Sequence, residues 1–302
     1  MATAVSHEAL VGGALGRQPA GRAGFAGTVR SEFTKIRSVR STYWTLLALV
    51  LACVGIGALF SWGQTERLLR IESGRRFSGG QIPPGFATHI ANEIRSQAAS
   101  ISLFGLLIGQ LIIIVLGALA ITSEYSTGMI RTSLAVMPRR GTVFAAKGVV
   151  FGLVALVTGL VTSFLAFFAG QAILSSQHVS TTLGHPDVLR TVVGGGLFLA
   201  VCGLLSFGIG AMLRHTAGAI AAGIGLMFVL WILSQFLPGP PSGWFGQADI
   251  DKWIPFNAGS AIWENQANGL NPFSPWIGFA VFCAYAAAAL AAGLVVFLRR
   301  DA

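Results

Sequence analysis

Residues 101–122 read ISLFGLLIGQLIIIVLGALAIT, twenty-two residues without Asp, Glu, Lys, Arg or His. A helix rises about 1.5 Å per residue, so the stretch reaches about 33 Å and crosses a hydrocarbon core of about 30 Å. Lipid offers the backbone no hydrogen-bond partner, so a spanning segment satisfies its own donors and acceptors as a helix. Five more stretches meet the same test: Thr42 to Trp62, Gly148 to Leu174, Thr191 to Leu213, Ala217 to Leu237 and Trp276 to Leu298. The predicted fold class is therefore all-α, a polytopic membrane protein with six transmembrane helices over residues 42–298. Composition agrees, because 54% of the residues are hydrophobic and 10% charged, whereas soluble domains carry roughly 25% charged residues.

An even number of spans puts both termini on one side, and the excess of Lys and Arg selects that side as cytoplasmic. The side holding the termini carries thirteen Lys and Arg against four acidic residues, and the other carries seven of each. The outer segment 63–100 runs against this trend, with Arg67, Arg70, Arg75, Arg76 and Arg95. Its length, which weakens the charge rule, keeps it outside. Outer loops are then expected at 63–100, 175–190 and 238–275, with a cytoplasmic connection at 123–147. The first apolar run lies behind a long basic stretch, so it is expected to remain as a span and not to be cleaved as a signal.

Residues 1–24 are rich in Gly, Ala and Arg without periodicity, which predicts a disordered cytoplasmic tail, and a second short tail is expected at 299–302. From 25 to 41 the apolar residues Phe25, Val29, Phe33 and Ile36 recur at helical spacing with basic residues on other faces. This predicts an amphipathic helix lying in the membrane interface, its stripe interrupted by Glu32 and Arg40. Glycines crowd the third and fourth spans, as at Gly152, Gly159, Gly194 and Gly208, and predict close helix packing, since small residues allow backbones to approach. Between spans four and five stand only Arg214, His215 and Thr216, which dictates an antiparallel hairpin. The prolines and tryptophans of 238–275 predict short, partly inserted pieces.

Several chemistries are excluded. The spans hold no Asp, Glu, His, Lys or Arg, which argues against ion coupling through buried carboxylates and against intramembrane proteolysis. Cys53, Cys202 and Cys283 are odd in number and lie in apolar runs, so they read as packing residues. His178, His185 and Asp187 share an outer loop and are not read as a metal site. Phe77-Ser78-Gly79-Gly80-Gln81 looks like a nucleotide-binding signature, yet no phosphate-binding G-x-x-x-x-G-K-[ST] loop accompanies it, and no nucleic-acid partner is called for. Neither a catalytic residue nor a cofactor of its own is expected.

The cytoplasmic connection runs from Thr122-Ser123-Glu124-Tyr125 through Gly128, Arg131, Leu134, Pro138 and Arg140 to Lys147. Ser123 reads as the N-cap of a short helix closed near Pro138, a stiff charged element at the membrane surface. This ordered set resembles the permease subunits of type-2 ATP-binding-cassette exporters, which show an acidic residue, glycine, arginine, leucine, proline and arginine in this order after the second span. The resemblance covers about residues 25–300, including Arg30-Ser31-Glu32-Phe33-Thr34-Lys35-Ile36-Arg37.

That resemblance implies a transport subunit that is not itself an enzyme, with ATP bound by a separate cytoplasmic ATPase subunit. Glu124, Gly128, Arg131, Leu134, Pro138 and Arg140 would form the coupling element that contacts the ATPase, and residues 25–41 the connecting helix. A second permease copy or paralogue would complete a pathway for amphiphilic or hydrophobic cargo, in a bacterial plasma membrane. The alternative is a non-catalytic anchor or sensor in a membrane complex.

Overall fold

The computed structural model of the chain describes residues 24–77, 86–128, 140–236, 251–264 and 273–299. Among them every regular element is helical: α1 (Phe25–Ser38), α2 (Arg40–Phe77), α3 (Phe86–Ser102), α4 (Leu106–Ser126), α5 (Arg140–Leu174), α6 (Pro186–Leu213), α7 (Thr216–Ile224), α8 (Leu230–Phe236), α9 (Pro255–Ser260) and α10 (Pro275–Arg299). A π-helical turn, Gly225–Val229, joins α7 to α8 in one continuous rod. Among the described residues six segments are long and apolar enough to cross a membrane, at 40–71, 88–126, 140–177, 187–213, 216–234 and 275–299.

α6 is the most buried of these and packs against α4, α5 and α10. It runs parallel to α4, since the contacts pair Gly109 with Leu199, Gly117 with Gly203 and Ile121 with Gly210. Its glycines make this possible. A Cβ placed on Gly208 would stand 2.6 Å from the carbonyl carbon of Ala289 in α10, and one on Gly293 would stand 2.8 Å from the carbonyl oxygen of Gly208. Larger residues at this crossing would force α6 and α10 apart.

Exposed side chains mark the lipid level on α2. Trp44 and Trp62 both face outward, and their eighteen-residue separation spans about 27 Å, close to the thickness of a hydrocarbon core. On α5 the outward line is Val149, Leu153, Val157, Val161, Leu165 and Phe168.

The structure departs from the expected outline at the end remote from α1, the far end of the bundle. Residues 63–77 and 86–100 are helical, so α2 continues past Trp62 for about 22 Å and α3 returns beside it. Leu68, Ile90, Ile94 and Ala98 form a small core there with Leu174 and Val179. Charged residues hide this hairpin from a hydropathy reading, although Ile90, Ile94 and Ala98 stand at four-residue spacing. Of the proline-rich segment, residues 251–264 place α9 at the far end against α6 and α10. Trp263 is buried against Phe198 instead of lying at the interface, while Trp253 and Trp276 are exposed.

Ser123 is a further correction. It lies within α4 and its Oγ donates to the carbonyl of Leu119 at 2.7 Å, so the hydroxyl bonds back into an existing helix instead of starting a new one.

Candidate functional site

The C-terminus of α4 is closed by a glycine. Thr127 N–H donates to the Ser123 carbonyl at 3.1 Å, Gly128 N–H to that of Tyr125 at 3.4 Å, and Gly128 takes φ +68°. A left-handed residue just past a helix is the usual helix stop, and glycine adopts it without a Cβ clash. The last turn of α4 therefore stays regular, and Glu124 is directed into the bundle and buried.

Glu124 meets three other charges there. Lys147, in the second turn of α5, donates from Nζ to Glu124 Oε1 at 2.8 Å and to Glu32 Oε2 at 2.6 Å. Lys35 Nζ donates to Glu32 Oε1 at 2.7 Å and to Glu124 Oε1 at 3.2 Å. Two carboxylates and two ammonium groups thus alternate in a closed ring with no net charge. Glu32, Glu124 and Lys147 are buried, and Lys35 forms the more open edge. Burial by itself raises the Glu32 pKa, but the charges and hydrogen bonds of Lys147 and Lys35 outweigh it and hold the carboxyl below its ordinary value. Burial likewise lowers Lys35, and Glu32 and Glu124 more than offset it, leaving the amine above its ordinary value. Both groups are held in their charged forms, as a buried ion pair requires.

The ring joins three elements. α1 contributes Glu32 and Lys35, α4 contributes Glu124 and α5 contributes Lys147, with Glu32 and Lys147 separated by 115 residues in sequence. α1 docks on the bundle through Thr28 and Glu32, whereas Phe25 and Phe33 turn outward and Val29 and Ile36 are partly covered. Glu32, read from sequence as a flaw in the apolar stripe, is the residue by which the helix is attached.

Of the expected coupling residues, the structure gathers Glu124 into the ring, uses Gly128 to end α4 and sets Arg140 at the start of α5. Arg131, Leu134 and Pro138 lie outside the described residues. Glu32, Lys35 and Lys147 were missed as a site, since only the i, i+3 spacing of Glu32 and Lys35 hinted at a pair. Among the described residues no group of three or more His, Cys, Asp or Glu is placed to hold a metal. The ring ties α1, α4 and α5 together through charge-assisted bonds. Displacing α4 relative to α1 or α5 breaks charge-assisted bonds, and leaving one buried partner unpaired costs about 3–5 kcal/mol.

All four ring residues fall within residues 29–302, the stretch matched by the protein-family model described as ABC-2 family transporter protein. No curated protein matches the chain. The family match runs from α1 to the end of the chain, and on that ground the chain belongs to the ABC-2 family of transporter proteins.

Proposed function

We propose that this permease is the membrane half of an ATP-driven exporter and that the buried charge ring is where work from a separate ATPase enters the bundle. The ring stands at the root of the segment joining α4 to α5, which is the segment expected to meet the ATPase. In this reading the α1 end faces the cytoplasm, in keeping with the excess of Lys and Arg on that side. Closure of the ATPase around ATP pushes on the connection, and Glu124 passes the displacement to α1 and α5 together. Two permease copies or paralogues then swing as rigid bodies between inward-open and outward-open arrangements. The uncharged spans favour amphiphilic or hydrophobic cargo.

The single observation that carries this reading is the attachment of Glu124 to Lys35 and Lys147 at the last turn before the connection. It is tested by purifying the tagged chain in mild detergent with its ATPase and measuring ATP turnover after reconstitution in lipid. The wild type is expected to recover an ATPase subunit and to change its turnover, whereas Glu124→Ala is expected to recover the subunit without that change. Recovery of no ATPase would favour the anchor or sensor reading.

A further inference from the structure

Next to Glu124, Tyr125 makes contacts in which the charge ring takes no part. Its ring lies under the guanidinium of Arg214, whose Cζ stands 4.9 Å from the ring centroid. Arg214 Nη2 also donates to the carbonyl of Val296 in α10 at 3.1 Å, and Phe297 meets the Tyr125 ring edge-on at 6.5 Å between centroids. Arg214 is itself the corner between α6 and α7, with φ +56°. A branched or long side chain is held in this left-handed region only where its surroundings fix it.

The corner is short and closed at both ends. Arg214 N–H donates to the Gly210 carbonyl at 2.9 Å, and His215 Nδ1 accepts from Gly218 N–H at 3.1 Å, which caps α7. α6 and α7 therefore turn as one hairpin at this corner. Thr216 Oγ1 donates to Thr122 Oγ1 at 3.0 Å and adds a second tie to the same turn of α4. Glu124 thus faces α1 and α5, and Tyr125, one residue on, faces the α6–α7 corner and α10.

We infer that Arg214 is a positioning residue that makes the α6–α7 hairpin and α10 follow the root of α4 when that root is displaced. This rests on the proposed function. A planar cation stacked on the aromatic ring and bonded to a backbone carbonyl resists sliding in two directions at once. Without it, α4 retains the charge ring on one side and the Thr216–Thr122 bond and helix packing on the other, but its last turn loses the Arg214 tie to α10.

The test uses the permease assembled with its ATPase, spin-labelled at Ser126→Cys and Leu298→Cys in a cysteine-free background, with and without ATP and vanadate. Retained nucleotide is measured on the same samples. In the wild type, dipolar broadening between the two labels is expected to be the same before and after trapping. Arg214→Gly, which suits the left-handed corner and removes the guanidinium, is expected to match the wild type before trapping and to lose the broadening after it. Tyr125→Leu should behave like Arg214→Gly, and Tyr125→Phe, which keeps the ring, like the wild type; this pair carries the test if Arg214→Gly does not fold. Variants that trap nucleotide and keep the wild-type broadening would overturn the inference while leaving the proposed function standing. Failure of the wild type to recover an ATPase or trap nucleotide would overturn both.

Discussion

The two ends of the bundle are fastened by different physics. At the α1 end four charges form a ring among α1, α4 and α5. At the far end no buried ion pair joins the described helices: Gln171 Nε2 donates to the Ala98 carbonyl and to Ser102 Oγ, both at 3.0 Å, Gln171 Oε1 accepts from Thr181 N–H at 2.7 Å, and Arg95 and Arg190 donate to the backbone carbonyls of His178 and Ile262. Phe198 there collects Phe256, Trp263 and Phe282 around it. Neutral bonds cost less to lose, about 1–3 kcal/mol for a buried polar group left unpaired. A buried charge ring costs more to open, about 3–5 kcal/mol, because each ion that loses its partner remains desolvated. Under the proposed function the α1 end therefore moves as one unit, with α1, α4 and α5 held together by the ring, while the far end keeps its own helices in place.

The largest effect is expected for Lys147→Ala, which leaves Glu32 and Glu124 buried together with Lys35 as their remaining ring partner. It should cost about 3–5 kcal/mol, read as a lower Tm in detergent and as loss of ATPase coupling. Replacing Lys147, Glu32 and Glu124 together by apolar residues should restore the Tm but not the coupling. At the far end, Gln171→Leu should cost about 1–3 kcal/mol by leaving the Thr181 N–H unpaired, with ATP turnover unchanged. An effect on coupling equal to that of Lys147→Ala would erase the contrast between the ends.

Acidity separates them next. Glu32 is held below its ordinary value of 4.5, so its contribution is complete above about pH 4.5 and is lost as pH falls through the lower folded value. Lys35 is held above its ordinary value of 10.5, so its contribution is complete below that pH and is lost only as pH rises through the higher folded value. Hydrogen exchange of α1 amides should therefore be protected to a similar degree between about pH 5 and 10, after correction for intrinsic exchange rates. Below pH 4.5 it should accelerate, while α3, held by Gln171, shows no such step. The smallest effect belongs to Gly128→Ala, which places a Cβ at φ +68°. It should cost about 1–2 kcal/mol of stability, read as a lower Tm, and Gly128→Asn less.

A feature is legible in the sequence when its meaning needs no distant partner. The six spans were legible on that ground, because each is a long run without charge. The α2–α3 hairpin was not, since Arg67, Arg70 and Arg95 dilute the apolar signal and its core residues, such as Leu68 and Ile94, come from two chain segments. Glu124 and Gly128 were found by resemblance. The ring was not found, because a Glu on α1 and a Lys on α5 acquire meaning only when folding brings them within 2.6 Å. Ser123 was misread for a related reason: a serine before an acidic residue has the pattern of a cap, and only the continuing α4 ladder shows otherwise.

The proposed function requires the turn carrying Glu124 to lie on the cytoplasmic side, where an ATPase would dock. Its most direct measurement is thiol labelling at exposed Ser126, as Ser126→Cys in a cysteine-free chain, with a membrane-impermeant maleimide. A cytoplasmic Ser126 should give no labelling of intact cells, labelling after permeabilisation, and slower labelling when the ATPase is co-expressed. Labelling from outside intact cells would contradict it.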